Sequence, residues 1–227
     1  MASPRNVWPP APIIYINAFP GTGKLTIAKH LVSLFQTGTV KLVHNHLLIN
    51  PADAVLDRDQ PGYQKLRRKI RRAIFKPLIK NEATYYSAFI FTDFQTDNDL
   101  GINTSLEYMT CAEERHCQFI PITLVCDEEV NRKRLVSDDR ASHGKLVDVE
   151  LVRNFRKNSK VVGFEGHTDG FTLDVTYLSS KEAAAKIARH LVKVSMAMRV
   201  RVKDTEIATE EDMDQDENAV LLGFTHF

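Results

Sequence analysis

The residues best suited to chemistry are Pro20-Gly21-Thr22-Gly23-Lys24-Leu25-Thr26, preceded by Ala18-Phe19. Two glycines two positions apart let a backbone curl until its N–H groups converge on an anion, and the adjoining lysine adds a full positive charge. The apolar run Ile13-Ile14-Tyr15-Ile16 comes before and an amphipathic stretch after, so the order reads strand, loop, helix. The helix N-terminus contributes further partial positive charge. This is the layout of a Walker A phosphate loop, and a nucleoside triphosphate is the expected ligand. Lys24 should reach its β and γ phosphates. Two positions depart from the usual pattern: Ala18 replaces the first glycine, and Leu25 replaces the hydroxyl residue that normally meets Mg2+. Thr26, one position later, is then the nearest hydroxyl for a phosphate oxygen or the metal's surroundings, and an acidic residue elsewhere must help hold Mg2+.

Asp93 is the best candidate for that acid, because it closes the apolar run Ser87-Ala88-Phe89-Ile90-Phe91-Thr92 at the end where open α/β sheets bind ligands. His44-Asn45-His46 follows another apolar run and borders the same crevice. His46 could take a proton near neutral pH, and Asp53 is the other candidate base. Lys65-Leu66-Arg67-Arg68-Lys69-Ile70-Arg71-Arg72 is strongly basic. On a helix Arg68 and Arg72 share one face, and Arg67 and Arg71 share another. An arginine fork there suits a carboxylate or phosphate on the acceptor, and Arg68 is the first choice, with Arg72 beside it.

The elements that must position these groups alternate between apolar runs and helical patterns, the mark of a parallel sheet covered by helices. Strands are expected near residues 12–18, 40–43, 87–92, 119–126 and 171–175. Helices are expected near 24–35, from Pro51 to about 81, and near 105–116, 128–137 and 181–198. Residues 140–166 are polar and basic and read as a lid. Residues 1–12 form a Pro-rich arm and 13–198 the main domain. Residues 199–227 form an acidic tail with an apolar end, its acidic part reading as loop or disorder.

The formal net charge of +1 over 227 residues argues against a whole-surface nucleic-acid binder. No apolar run is long enough to span a membrane. Cys111, Cys117 and Cys126 are odd in number without paired metal spacing, which fits reduced thiols in a cytoplasmic protein.

The Phe19–Thr26 loop, the Leu124-Val125-Cys126-Asp127-Glu128-Glu129-Val130 segment leading to Arg134 and Arg140, and Leu173-Asp174-Val175 before Ser179-Ser180-Lys181-Glu182 together resemble P-loop kinases of the nucleoside-monophosphate, shikimate and gluconate kinase type. The loop and the Asn45-His46-Leu47-Leu48 segment are most similar to those of AAA-like ATP-binding proteins with a Pro-Gly-x-Gly-Lys-Leu-Thr loop. The resemblance implies a three-layer α/β/α P-loop NTPase fold with a five-stranded, mainly parallel sheet, a helical substrate region and a lid. It implies ATP and Mg2+ as cofactors and γ-phosphate transfer to a small molecule or nucleotide, anionic if an arginine of the basic helix binds it. It places Arg134 against the nucleotide base, Arg140 on phosphate charge with Lys145 a weaker lid candidate, and Asn45 where such kinases orient the acceptor. Those kinases often carry an acid near Asn45; this chain does not. A nucleotide-binding regulatory or scaffold protein with little turnover is the alternative, and a monomer or homodimer is expected.

Overall fold

The computed structural model describes residues 9–135 and 149–203, without the side chains of residues 149–152 and 155. Five strands form one sheet: β1 (Ile13–Asn17), β2 (Val40–His44), β3 (Ala88–Asp93), β4 (Phe119–Val125) and β5 (Phe171–Asp174). Their order is β2-β3-β1-β4-β5, and every pairing is parallel. A parallel sheet is covered on both faces, so its central strands are apolar on both sides. All five residues of β1 and all six of β3 are buried.

The helices are α1 (Lys24–Ser33), α2 (His46–Asp53), α3 (Tyr63–Lys80), α4 (Asp99–Glu114), α5 (Glu128–Leu135), α6 (Val149–Asn158), α7 (Ser180–Val194) and α8 (Met196–Arg199). One core joins Ile14, Ile16, Ile90 and Ile122 to Ile27 and Leu31 of α1 and Ile187 and Leu191 of α7. On the other face, Tyr15, Phe89, Phe91 and Phe119 meet Leu48 of α2, Phe75 and Leu78 of α3, and Tyr108 and Cys111 of α4. Burial pushes the Cys111 thiol up to about 12, so it behaves as a small core hydrophobe.

Two helix starts differ from expectation. The helix before residue 54 begins at His46 and contains Pro51. One missing helical N–H is tolerated because Leu48 and Ala52, four apart, bury a common face. A break follows, and Gly62, at φ 94°, starts α3. Helix α4 begins six residues before the expected start: the Asn98 side chain accepts from Gly101 N–H at 2.8 Å. Gly101 is needed there, because a Cβ would lie 1.9 Å from the Thr96 carbonyl oxygen.

Arg115, 1% exposed, ties the base of the fold together. Its guanidinium donates to the carbonyls of Leu78, Thr84 and Ser87 and to the Thr84 hydroxyl. It also lies over the rings of Tyr85 and Phe89. Past α8, Arg201 donates to the Tyr86 carbonyl, and Val202 bridges to Phe35.

The part of the expected lid that the structure describes is α6 and the leg returning from it. That leg is stitched to the loop after β3. Val162 N–H donates to the Gln95 carbonyl at 3.0 Å, and Asp97 N–H to the Lys160 carbonyl at 3.0 Å. Phe164 then packs edge-on against Tyr15 and Phe119. Arg140, Lys145 and the acidic tail from residue 204 lie outside the described residues.

Candidate phosphate-binding site

The strand order reverses at β1, whose neighbours β3 and β4 lead to opposite edges; above such a point an open sheet leaves a crevice. The loop 18–23 leaves β1 there. Gly21 and Gly23 take φ of 86° and 94°, left-handed values that turn successive N–H groups inward. Gly23 caps α1 without a side chain, leaving the first-turn N–H groups of that helix for an anion. Buried Thr22 donates its hydroxyl to the Phe19 carbonyl at 2.8 Å, which fixes the curl. Lys24 Nζ reaches back to the carbonyls of Ala18 at 2.7 Å and Phe19 at 3.0 Å. Its charge is therefore held at the loop. Leu25 is half-buried and Thr26 exposed on the first turn of α1.

One wall of the loop comes from Asn131 of α5 and Arg156 of α6; the helix and the lid were expected there, but these two residues were not singled out. Asn131, 1% exposed, donates to the Pro20 carbonyl at 2.9 Å. A Cβ on Gly21 would lie 2.7 Å from its Nδ2. Arg156 donates to the Cys126 carbonyl at 2.8 Å and to Asn131 Oδ1 at 3.4 Å, and its guanidinium lies 5.1 Å from the Phe19 ring centroid. Arg156, Phe19 and Thr22 also border a cavity of about 480 Å³ over β4 and β5. Arg134 donates to the carbonyls of Val175, Thr176 and Leu178, so it buttresses the loop after β5.

A second side of the crevice is built by the end of β2, α2 and the top of α3. Asn45 N–H donates to the Thr92 hydroxyl at 3.4 Å, and its Oδ1 is buried with no hydrogen-bond partner among the described residues. His46 Nδ1 lies 3.3 Å from Asn50 Oδ1. Asp53 accepts from the Tyr63 hydroxyl and from Arg58 Nη2 at 2.8 Å. Burial pushes its carboxyl up, but the hydrogen bonds from Arg58 and Tyr63 and the charges of Arg58 and Arg67 hold it below the usual range.

Helix α3 descends from the crevice to the start of β3. Tyr63, Phe75 and Leu78 are buried on its inner face together with Arg71, and Arg67, one turn above Arg71, continues that face to the crevice. Arg67 Nε is buried and has no hydrogen-bond partner among the described residues. Arg68 instead pairs with Glu107 of α4 at 2.9 Å, and Arg72 is exposed. The signal for Arg67 was its helical register with Tyr63, Arg71 and Phe75.

Asp93 stands at the end of β3 opposite Asn17 and is 0% exposed. Its carboxylate accepts from Phe94 N–H at 2.8 Å, Gln95 Nε2 at 2.9 Å and the Tyr108 hydroxyl at 3.2 Å. Burial and the Asp93 charge push the Tyr108 phenol well up, so it stays protonated as the donor.

No protein-family model matches the chain, and no curated protein matches it significantly. Solved structures do. An unliganded sugar kinase from Janibacter sp. HTCC2649 aligns at 16% identity with a TM-score of 0.54, over 86% of this chain and 100% of that one. A gluconokinase from Sinorhizobium meliloti 1021 aligns at 12% identity with a TM-score of 0.54, over 86% and 98%. The APS kinase of Mycobacterium tuberculosis, solved with AMPPNP and APS, aligns at 11% identity with a TM-score of 0.52, over 81% and 99%. With its all-parallel five-stranded sheet between two helical layers, the chain has the α/β fold of these P-loop kinases.

Proposed function

We propose that the protein is an ATP-dependent phosphotransferase that moves the γ-phosphate to a small anionic acceptor. The observation that carries this reading is the loop itself: two left-handed glycines, an open helix N-terminus and the Lys24 amine held at its mouth. Phosphoryl transfer asks little covalent chemistry of a protein. It needs positioned phosphates, neutralised charge and an aligned acceptor. Lys24 and the N–H groups of residues 21–26 meet the first two needs. Arg156, on the wall of the loop, is a further cation for the phosphates.

The acceptor lies between β2 and α3. Arg67 binds its anionic group, in place of Arg68 and Arg72 on the outer flank of the helix, and Asn45 Oδ1 accepts from one of its donors. His46 is the base. The lowered carboxyl of Asp53 makes it a weak proton acceptor, and it instead fixes Arg58 and Tyr63. Mg2+ fits this site as an ion carried on the nucleotide. Leu25 offers no ligand, and the three hydrogen bonds to Asp93 suit contact through water. Mg2+ there would neutralise phosphate charge. Arg134 supports the base-side loop from below. A nucleotide-binding regulatory protein with little turnover is the second reading, favoured by Leu25.

ATP with Mg2+ is expected to raise the melting temperature, and Lys24→Ala to remove the rise. Labelled γ-phosphate offered with a metabolite extract should appear on a small molecule. If the Lys24→Ala protein responds like wild type, phosphate binding at the loop is wrong. Stabilisation with free phosphate as the only product, or no turnover, supports the second reading.

A further inference from the structure

The basic stretch of α3 does more than supply Arg67. Between Tyr63 and Lys80 the helix carries eight cations, Lys65, Arg67, Arg68, Lys69, Arg71, Arg72, Lys76 and Lys80, and no acid. Only Arg67 and Arg71 belong to its inner face. Glu107 pairs with Arg68 and Arg71; among the described residues Lys65, Lys69, Arg72, Lys76 and Lys80 form no ion pair. All five are exposed. Beside them a groove of about 880 Å³ runs between α3 and α4. Phe75 and Ile79 contribute to its lining, with Leu100 (48% exposed) and Leu106 (39% exposed) on the α4 side. Glu107, paired with Arg68 and Arg71, and Glu114 also line it on the α4 side, so it is the α3 side that is cationic, and with the apolar residues it fits a partner that is acidic and then apolar.

The chain contains such a segment. Residues 204–217 hold eight acids, Asp204, Glu206, Glu210, Glu211, Asp212, Asp214, Asp216 and Glu217, and residues 204–227 hold no Lys or Arg. Val220, Leu221, Leu222 and Phe224 follow. We propose that residues 204–227 dock along the α3–α4 groove of their own chain, with the acidic stretch on the lysines of α3 and the apolar stretch on Leu100 and Leu106.

Placement supports an occupant in the same chain. The last described residues run along the end of α1, at the same base of the sheet as the lower end of the groove. Arg201 donates to the Tyr86 carbonyl at 2.7 Å, and neighbouring Tyr85 donates its hydroxyl to the carbonyl of Ile79, a groove residue, at 2.7 Å. Lys203 N–H is fixed to the Leu34 carbonyl at 3.1 Å. Lys203 lies on the α1 face, so the tail first rounds the base of the sheet; α3 itself is about 27 Å long. Fourteen extended residues span about 46–50 Å. The acidic stretch can therefore follow the whole helix and deliver residues 220–224 to Leu100 and Leu106 at the upper end. Tethering at residue 203 gives an effective concentration of about millimolar, so contacts too weak to hold a separate peptide suffice. The pairing is independent of nucleotide chemistry.

Zero-length carbodiimide coupling of the full chain tests this. An equal mixture of 14N- and 15N-labelled protein should give couples between the carboxylates of residues 204–217 and Lys65, Lys69 or Lys76 that carry one label only. Their yield should fall about fivefold or more in about 0.5 M salt, where exposed charges are screened. Cleavage of the tail by a Glu-specific protease should quicken about tenfold in a Lys65→Glu/Lys69→Glu/Lys76→Glu variant, as screening predicts for a charge-held segment. Added Glu210→Lys/Glu211→Lys/Asp212→Lys changes should restore the α3–tail contact, read from the cleavage rate at Glu217. A thermal melt confirms that these surface variants fold. Couples of mixed label would assign the groove to a second copy and overturn the proposal, as would absence of tail-to-α3 couples or unchanged cleavage. Retention of a short RNA oligonucleotide on the full chain without tail coupling would give the face to nucleic acid and also overturn it.

Discussion

Gly21→Ala tests the phosphate loop at its tightest point. The φ of 86° is unfavourable for alanine by about 1–2 kcal/mol. The new methyl would sit 2.7 Å from Asn131 Nδ2 and 3.1 Å from the Asn131 carbonyl oxygen, so the amide must move. Moving it breaks the 2.9 Å hydrogen bond to the Pro20 carbonyl, a further loss of about 1 kcal/mol. With residual crowding the sum is about 3 kcal/mol. For a domain of this size that lowers Tm by about 6–12 °C. In an Asn131→Ala background the amide and its hydrogen bond are already gone. The backbone penalty and the contact with the residue 131 carbonyl remain, so the same change lowers Tm by about 3–6 °C. A double-mutant cycle by calorimetry reads the difference as a coupling of about 1 kcal/mol or more. Equal losses in the two backgrounds would refute the argument that Asn131 wedges against this glycine.

Arg115→Met should destabilise the fold by about 3–4 kcal/mol, because it strips donors from the buried carbonyls of Leu78, Thr84 and Ser87. A lower urea midpoint at unchanged slope would show it, and a shift under 1 kcal/mol would refute it. Asp53 has a folded pKa below its unfolded value, so its stabilisation is present above the unfolded pKa and lost as pH falls through the folded one. Asp53→Asn should therefore lower Tm at pH 7 and have less effect near pH 3; an equal deficit at both would exclude ionisation as the cause. Arg67→Ala should reduce kcat/KM for the acceptor about 10–100-fold, as expected for a lost charge-assisted hydrogen bond, and Arg68→Ala much less. The reverse ranking in the phosphotransfer assay would return the acceptor anion to the outer flank of α3.

The strands were legible because parallel strands buried on both faces read as unbroken apolar runs, and Ile13-Ile14-Tyr15-Ile16 and Ala88-Phe89-Ile90-Phe91 are such runs. The phosphate loop was legible because its glycines, lysine and flanks lie within fourteen residues. Helix starts were harder. Pro51 and Gly101 look like breakers locally, yet one is carried by the burial of Leu48 and Ala52 and the other is required by contact with Thr96. Which arginines of α3 lie on its inner face was not settled by composition, because both flanks of that helix are basic. It depends on which flank faces the sheet, and Tyr63, Phe75 and Leu78 decide that. Asn131 and Arg156 were invisible for another reason. They reach the loop from more than a hundred residues away, and nothing near them in sequence announces the contact.

The sheet divides the candidate chemistry between its two faces, and this bears on Leu25. Ile14, Ile16 and Ala18 of β1 face α1, and Ile13 and Tyr15 face α3 and α4. Strand alternation therefore turns Asn17 and Asp93 toward α3 and α4, away from the first turn of α1. On the proposed reading, a metal ion carried on a nucleotide would find no hydroxyl at position 25 and would reach the Asp93 carboxylate only through water. On that reading, Lys24 at the loop and Arg156 on its wall would carry much of the charge neutralisation. A loop so built would bind phosphate through its backbone and fixed cations. The proposed transfer would then depend on how well α6 and the segment stitched to Gln95 and Asp97 hold those cations over the crevice.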